Sequence, residues 1–242
     1  MRVAILSKGR PNFSASKVFK NPIVFVEPQD MESYQKYNPD MTLINIRKDN
    51  QGIVYVRNFI LDYMGEEVFC KSDDDIESFY QREGTKFVPV SSDIVLGEIE
   101  KFMSENNIAA CGLPPKQTSW YYKGLVKKNM KIFNIIFLNG FLLKPLRYDE
   151  NISNGQDIDL CFQLIRSGRG SYGYFKFAYQ NASGGSLEGG LQDNLSKLAM
   201  QERIRKKLEC IEYMNRKWGS KSVTAIIKNN KVSHRVNWFS KG

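Results

Sequence analysis

The strongest chemical signal in the sequence is a run of three carboxylates, Asp73, Asp74 and Asp75, directly after the apolar residues 67–71. Adjacent carboxylates repel one another, so a fold tolerates them in solvent or around a cation. If residues 67–71 form a strand, Asp73 and Asp75 can face one ion while Asp74 points elsewhere. Carboxylate oxygens suit Mg²⁺ or Mn²⁺, which commonly keep positions for diphosphate oxygens. The alternative is an acidic turn that caps the next segment.

A second pair of carboxylates, Asp157 and Asp159, opens the amphipathic residues 157–167, which predict a helix stopped by Gly168. A carboxylate in this position can act as a general base that accepts a proton. Asp157 is the preferred candidate for this catalytic role, and Asp159 is the alternative. The competing interpretation is structural, because Asp before an apolar-periodic run is a favoured helix N-cap.

Histidine and cysteine are too sparse for a zinc site built from these residues. The only histidine is His234, and the four cysteines are scattered without a CxxC pair. We therefore expect buried free thiols, and we expect general bases and metal ligands to be mostly carboxylates.

The elements that must position these carboxylates alternate between strand and helix through the first half of the chain. Apolar runs predict strands at residues 2–7, 22–27, 41–46, 67–71, 108–111 and 131–138, and helical spacing predicts helices at 52–64 and 91–107. This alternation predicts an α/β fold with a mixed, mainly parallel central sheet and helices on its faces. In such sheets ligands collect at the carboxyl ends of strands, where Asp73 lies.

The second half of the chain predicts fewer regular elements. Residues 171–179 predict a strand, 191–218 a long basic helix, and 224–239 two strands joined near Asn229 and Asn230. Residues 182–190 are rich in glycine and serine, typical of a lid over a ligand or of a flexible connector. We assign residues 1–190 to a catalytic core and residues 191–242 to a basic helix-hairpin extension packed on it.

Positive charge is concentrated near the end of the chain. The net charge is +9, and from Ser196 onward twelve Lys or Arg face three acids, so the preceding residues are neutral overall. These basic residues alternate with Trp218, Trp238 and Phe239, a combination that can bind phosphates and stack on nucleic-acid bases. The alternative is a solvated helix whose lysines maintain solubility.

The order of several short motifs resembles the GT-A nucleotide-sugar glycosyltransferases. A strand ending in Asp-x-Asp near residue 70 of a β-α-β chain is similar to the metal-binding strand of that family. The other motifs are Ser7-Lys8-Gly9-Arg10 after the first strand, Glu27 after the second, Gly52 with Arg57-Asn58, Tyr148-Asp149-Glu150, and Gly155-Gln156-Asp157-Ile158-Asp159-Leu160. The family usually has Glu-Asp where this chain has Gln156-Asp157.

The resemblance spans residues 1–180 and implies a Rossmann-like core that binds a nucleoside diphosphate sugar. It implies that Asp73 and Asp75 hold Mn²⁺ or Mg²⁺, which acts as a Lewis acid on the departing diphosphate. Many family members complete the metal site with a late histidine, for which this chain offers His234, with Asn181 or water as alternatives. The donor contacts that the resemblance implies are Ser7, Lys8, Gly9, Arg10, Glu27, Arg57, Asp73 and Asp74.

Within that superfamily, the small size and basic C-terminus resemble phage enzymes that glycosylate hydroxymethylated cytosine in DNA. This implies a nucleotide sugar, UDP-sugar first, as donor and DNA as acceptor. A base in a duplex must be flipped out to be modified, and Trp120 with Tyr121 and Tyr122 is the candidate aromatic wedge unless these rings pack in the core. Further candidates for the acceptor site are Lys116, Gln117 and Asn139.

Three other functions fit parts of the sequence. A glycosyltransferase with a glycan or lipid-linked acceptor would turn the basic segment toward acidic lipids. A non-catalytic nucleic-acid-binding module on a decayed enzyme fold would bind DNA but no donor. A metal-dependent nucleotidyltransferase would also need carboxylates and a nucleotide.

Hydropathy gives no indication of a membrane protein. No stretch approaches the ~20 apolar residues that span a bilayer, and the apolar run before Ser7 is too short for a signal-peptide core. We therefore expect a cytoplasmic protein, or one of the host cytoplasm if the gene is viral. The sequence specifies no oligomeric state.

Overall fold

The first four apolar segments form the four strands that the sequence predicts. The computed structural model describes residues 1–182, 200–228 and 231–239. Its first elements are β1 (Arg2–Leu6), β2 (Ile23–Val26), α1 (Met31–Tyr37), β3 (Thr42–Asn45), α2 (Ile53–Met64), β4 (Val68–Asp73), β5 (Ile76–Glu83) and β6 (Lys86–Val90). Asp74 and Asp75 therefore form the turn between β4 and β5.

The remaining elements complete the core and build the C-terminal region. They are α3 (Ser92–Glu105), β7 (Ala110–Gly112), α4 (Lys116–Ser119), β8 (Val126–Lys128), β9 (Ile135–Asn139), α5 (Gly140–Leu143), α6 (Gln156–Arg166), β10 (Tyr172–Tyr174), β11 (Phe177–Asn181), α7 (Met200–Trp218), β12 (Val223–Lys228) and β13 (Lys231–Val236). None of the helices among the described residues is long and apolar enough to cross a membrane.

The strands form one large sheet and two small ones. The large sheet has eight strands in the order β3-β2-β1-β4-β9-β7-β10-β8. β1 pairs in parallel with both β2 and β4, β2 with β3, and β7 with β10, whereas β9 runs antiparallel between β4 and β7. β11, β5 and β6 form a three-stranded antiparallel sheet, and β12 pairs with β13. The carboxyl ends of β1, β2 and β4 consequently meet at one edge.

The central strand β4 sends alternate side chains to the two faces of the large sheet. Cys70 joins the apolar cluster that packs against α3. Phe69 joins the cluster that packs against α2 and α6. By the same alternation Lys71 and Asp73 lie on the α2–α6 face. The sheet thus presents its terminal carboxylate to the helices that carry Arg57 and Asp157.

The C-terminal region packs on the outer side of α6. Ile158 and Phe162 of α6 form a third apolar cluster with Met214 of α7 and with Val223 and Val232 of the β12–β13 hairpin. The region therefore has its own small core, which is joined to the catalytic half through α6. The division at residues 190 and 191 stays a prediction, because it lies outside the described residues.

The sequence misses the shorter elements and merges two strands. Residues 171–179 predict one strand, but the chain turns at Phe175 and Lys176, so that β10 joins the large sheet and β11 joins β5. The weak periodicity of α1, whose only buried side chain is Tyr34, gives no helix signal. The predicted lid, residues 191–199 of the predicted helix, and the turn at Asn229 and Asn230 lie outside the described residues.

Candidate active site

Asp74 fixes the loop after β1 in place. Its buried carboxylate accepts a hydrogen bond of 2.6 Å from the Ser7 hydroxyl and lies 3.0 Å from the Arg10 guanidinium. Burial raises the pKa of Asp74, and the contacts with Ser7 and Arg10 oppose this rise. The hydroxyl of Tyr34 accepts a hydrogen bond of 3.0 Å from the Arg10 amide. Asp74 thus points away from Asp73, as strand alternation predicts, and anchors the predicted donor loop.

Asp73 and Asp75 keep oxygens that could bind a cation. One carboxylate oxygen of each, Oδ1, is buried without a hydrogen-bond partner. Asp73 Oδ1 lies 3.5 Å from the Lys71 ammonium, and Asp75 Oδ2 accepts a 3.0 Å hydrogen bond from Asn181. Burial raises the pKa of Asp75. The neighbouring Asp73 carboxylate raises it further, while the Asn181 hydrogen bond and the Arg10 charge oppose the rise. Buried carboxylate oxygens that lack a donor are what a hard divalent cation needs, so the residues fit Mn²⁺ or Mg²⁺.

His234 does not join this pair of aspartates. Among the residues that the structure describes, no three His, Cys, Asp or Glu side chains converge as metal ligands. His234 instead lies against the start of α6, where its Nε2 is 3.8 Å from the position that a Cβ on Gly155 would occupy. Burial, together with the charges of Lys131 and Lys207, lowers the pKa of His234 to about 4. A metal role for His234 remains a prediction, whereas Asn181 already contacts Asp75.

The donor loop carries a second, separate ion pair. The Lys8 ammonium lies 2.8 Å from the Glu27 carboxylate at the end of β2 and donates a 2.6 Å hydrogen bond to Asn50. Gly9 has a positive φ of 63° and donates its amide to Asp30 at 2.8 Å. The structure therefore brings the predicted donor residues after β1 and β2 together at one edge of the sheet.

Arg57 and Asp157 form a buried pair on the α2–α6 face. The guanidinium Nη1 lies 2.8 Å from Asp157 Oδ1 in an ion-pair contact, and Nη2 donates a 3.3 Å hydrogen bond to Oδ2. The side chain of Arg57 is 3% exposed and that of Asp157 is 15% exposed, so the aspartate keeps limited access to solvent. The pair fixes the position of the Asp157 side chain, whose carboxylate can accept a proton.

Asp157 is not the cap of its helix. The N-cap of α6 is Gly155, whose φ of 89° favours glycine, and Asp157 follows inside the first turn. The N-cap interpretation of Asp157 is therefore wrong. Asp157 lies in the first turn of α6, where the positive end of the helix dipole favours negative charge.

Asp159, the alternative catalytic carboxylate, has a structural role. It is fully buried and accepts hydrogen bonds from the Trp218 indole at 2.7 Å and the Gln163 amide at 2.7 Å, and it lies 2.9 Å from the Lys217 ammonium. With its oxygens satisfied, Asp159 joins α6 to α7. We therefore carry only Asp157 forward as the catalytic carboxylate.

Lys71 and Tyr179 belong to the site but give no obvious motif. Lys71 on β4 is 1% exposed. Burial lowers the pKa of Lys71, and the charge of the neighbouring Arg57 lowers it further. The carboxylates of Asp73 and Asp157 oppose this change. Burial also raises the pKa of Tyr179, and Asp73 and Asp75 raise it further. A lysine inside an apolar strand is the signal that could have revealed Lys71. Tyr179 becomes visible only after β11 pairs with β5.

One acceptor-site prediction is wrong. Asn139 pairs with Val68 at the start of β4, the end of the strand opposite Asp73. Its side chain accepts a 3.1 Å hydrogen bond from the Leu142 amide and caps α5. The error arises because β9 runs antiparallel, so its last residue lies at the edge of the sheet away from the carboxylates.

Trp120 and Tyr121, unlike Asn139, remain open to a ligand. Trp120 is 60% exposed and Tyr121 is 67% exposed, so the alternative that these rings pack in the core is wrong. Tyr122 instead stacks on Phe175, with ring centroids 4.3 Å apart.

Comparison with known proteins gives a family match and several fold matches. The sequence model of a family described as TET-associated glycosyltransferase matches residues 1–184. No protein with a curated description matches the sequence significantly. Glucosyl-3-phosphoglycerate synthase from Mycobacterium tuberculosis, solved with Mn²⁺, UDP and glucosyl-3-phosphoglycerate, has a TM-score of 0.54 and 8% identity over 97% of this chain and 86% of that chain.

A second fold match is residues 1–349 of TarS from S. aureus in complex with UDP-GlcNAc. It has a TM-score of 0.51 and 14% identity over 90% of this chain and 73% of that chain. At these identities the likeness establishes the fold alone. The predicted fold class, a GT-A-like α/β fold with a mixed, mostly parallel sheet between helices, is confirmed.

Proposed function

Because the chain belongs to the TET-associated glycosyltransferase family, it is a glycosyltransferase, and we propose that it moves a sugar from a nucleoside diphosphate sugar to a base in DNA. The acceptor that we propose is hydroxymethylated cytosine or a base that already carries a sugar, which fits a TET-associated activity. The family match over residues 1–184 carries this proposal, since that range contains Asp73, Asp75 and Asp157.

The donor that we propose is a UDP-sugar. TarS and glucosyl-3-phosphoglycerate synthase, which share the fold, are solved with UDP-GlcNAc and with UDP. In this chain the Lys8–Glu27 pair and the loop anchored by Asp74 lie at the edge where such a donor would bind. Lys8 and Arg10 would supply positive charge to its phosphates.

Asp73 and Asp75 would hold Mn²⁺ or Mg²⁺, because each keeps a buried oxygen that lacks a hydrogen-bond donor. When bound, the ion would supply Lewis-acid neutralisation of the departing diphosphate. The third ligand would be Asn181, His234 or water. Of these, Asn181 is supported by its 3.0 Å hydrogen bond to Asp75.

The chemistry requires one bond exchange and one proton acceptor. The acceptor hydroxyl oxygen bonds to the anomeric carbon, the bond from that carbon to the phosphate oxygen breaks, and UDP leaves with the electron pair. Asp157 would take the hydroxyl proton or stabilise the developing positive charge on the sugar. Its 2.8 Å contact with Arg57 holds the carboxylate in place.

The decisive experiment incubates the protein with Mn²⁺, a panel of nucleotide sugars, and DNA with or without hydroxymethylated cytosine. Mass analysis of the digested nucleosides identifies any sugar that is added. We expect Asp75→Asn to lower transfer by at least about 100-fold while DNA affinity stays unchanged, because the variant loses a metal ligand. Transfer by Asp75→Asn at the wild-type rate would refute the metal assignment.

The matched control is Asp93→Asn, which makes the same chemical change at an exposed position on α3. It should transfer sugar as the wild type does. Transfer to a glycan or lipid-linked acceptor together with inert DNA would replace the DNA proposal and leave the glycosyltransferase assignment standing.

A further inference from the structure

The part of the chain before Ser196 is neutral overall, but it contains one basic stretch. Between Glu105 and Asp149 the sequence has no acidic residue and seven basic ones, namely Lys116, Lys123, Lys127, Lys128, Lys131, Lys144 and Arg147. Residues 123–128 are all exposed, and β8 forms the edge of the large sheet. Lys144 and Arg147 pair with Glu66 and Asp62, so the positive charge that this edge offers to a partner comes from the exposed Lys123, Lys127 and Lys128.

An exposed aromatic pair lies at the beginning of this stretch. The rings of Trp120 and Tyr121 stack with centroids 3.6 Å apart. The Trp120 indole donates a 2.8 Å hydrogen bond to the Gln117 carbonyl, which fixes its orientation. Large aromatic rings normally bury most of their surface, so two adjacent rings left open to solvent indicate a contact surface.

The aromatic pair is connected to the catalytic carboxylates through β11. Tyr179 donates its backbone amide to the Pro114 carbonyl at 3.2 Å, and Asn181, two residues further along β11, donates a 3.0 Å hydrogen bond to Asp75. Helix α4 begins directly after Pro115, which bridges to Tyr179. Trp120 follows α4, about 6 Å further along its axis. Helix α4 and strand β11 thus connect the aromatic pair to the turn that carries Asp75.

We propose that Trp120 and Tyr121, with Lys123 and Lys127, form the docking surface for the acceptor DNA, and that the two rings stack on its unpaired bases. The proposal rests on the proposed function, because it assigns the acceptor side of the same site. Lysines would contact the phosphates, and the aromatic faces would hold bases without reading their sequence. Such a surface would bind a base that has left the duplex. It would also hold the adjacent nucleotides so that the base to be modified reaches Asp157.

The positive charge of the surface favours DNA over a glycan as its ligand. Sugars also pack on aromatic rings, but a neutral glycan gains nothing from the exposed lysines and would bind independently of salt. A polynucleotide releases counterions when it binds, so its affinity falls steeply as salt rises. The stretch between Glu105 and Asp149 matches the polyanion.

The test measures fluorescence anisotropy of two single-stranded oligonucleotides of equal length, one with bases and one with abasic sites throughout. We expect the wild type to prefer the strand with bases. We expect the double variant Trp120→Ala/Tyr121→Ala to bind that strand roughly tenfold more weakly, the loss of about one stacked base. Its affinity for the abasic strand should not change, since the phosphate contacts remain.

The matched control is Phe141→Ala, which removes a ring that is 63% exposed on α5. It should bind both strands as the wild type does. Donor hydrolysis without acceptor, measured on the same samples, should be equal in all of them. It also shows that the double variant is folded and active.

Three outcomes would overturn the inference. They are a wild type that binds both strands equally, a double variant that keeps its preference for bases, and salt-independent binding of an oligosaccharide that requires Trp120. In each of these cases, intact donor hydrolysis would show that the glycosyltransferase function stands. No donor hydrolysis and no transfer by the wild type would instead overturn the proposed function itself.

Discussion

Trp218 lies against Phe162 with ring centroids 5.6 Å apart, whereas Trp120 is 60% exposed beside Tyr121. Both tryptophans occur among basic residues, one in the C-terminal region and one in the body of the protein. The Trp218 indole donates to the buried Asp159, and Trp238 packs on the same Phe162 ring at 4.9 Å. The C-terminal tryptophans therefore hold α7 and the hairpin to α6.

The basic residues of the two regions also differ in how far their charge is paired with acids of the same protein. On α7, Arg205 pairs with Glu202 and Glu209, and Lys217 reaches Asp149 and Asp159. Part of the C-terminal charge is thus used within the protein, while the stretch from Lys116 to Lys128 contains no acid of its own. Tryptophan beside lysine in sequence does not specify a nucleic-acid surface. The packing of the ring decides whether it stabilises the fold or contacts a partner.

The largest expected effect comes from exchanging the two tryptophans for alanine. We expect Trp218→Ala to lower the free energy of unfolding by about 3 kcal/mol, because it removes a packed ring and leaves the buried Asp159 with one donor fewer. Trp120→Ala should change this free energy by less than about 0.5 kcal/mol, since its ring is exposed. Urea unfolding followed by circular dichroism measures both values. Equal losses in the two variants would mean that the two rings are packed alike.

The second test reverses charge in each region. At 150 mM salt, where screening acts over about 8 Å, only charges close to the DNA affect its affinity. We expect Lys123→Glu/Lys127→Glu to weaken DNA binding about 30-fold and to reduce the salt dependence by about two phosphate contacts. Arg203→Glu/Lys206→Glu on α7 makes the same change in net charge and should weaken binding by less than about threefold. The reverse order, measured by anisotropy, would move the docking surface to the C-terminal helix.

Local patterns predict the central part of the site well. An apolar run followed by Asp73, Asp74 and Asp75 is enough to predict a strand end, and the two-residue period of a strand predicts that Asp74 points away from Asp73. The helical spacing after Gly155 places Asp157 at a helix start. These features depend on residues within a few positions of one another, so the sequence determines them directly.

Contacts between distant segments explain the rest. Asn181 meets Asp75 across 106 residues and Arg57 meets Asp157 across 100, so neither pair follows from spacing. Asn139 was assigned to the wrong edge because the direction of β9 is a property of the whole sheet. The roles of Trp218 and Trp120 depend likewise on which segment packs over each ring.

The smallest expected effect is a loss of folding stability at acid pH, which reports on how the β12–β13 hairpin packs against α6. His234 has a folded-state pKa of about 4, lowered by burial and then by Lys131 and Lys207, against about 6.5 in the unfolded chain. Above pH 6.5 the imidazole is neutral in both states and the full stability is present. As the pH falls from 6.5 toward 4, the unfolded chain binds a proton that the folded protein excludes, so stability decreases.

We expect the loss between pH 7.5 and pH 5 to be about 1.5 kcal/mol in metal-free protein, after discounting for the partial exposure of the ring. The control variant His234→Gln cannot titrate there, so the difference between its urea unfolding and that of the wild type isolates the histidine. The loss belongs to the C-terminal region, because His234 on β13 and Met214 on α7 both lie beside Gly155 at the start of α6. Base-dependent DNA binding at Trp120 should therefore persist at pH 5 while both proteins remain folded. Equal pH dependence in the wild type and His234→Gln would show that the ring is open to water, and that the hairpin is held by its apolar contacts alone.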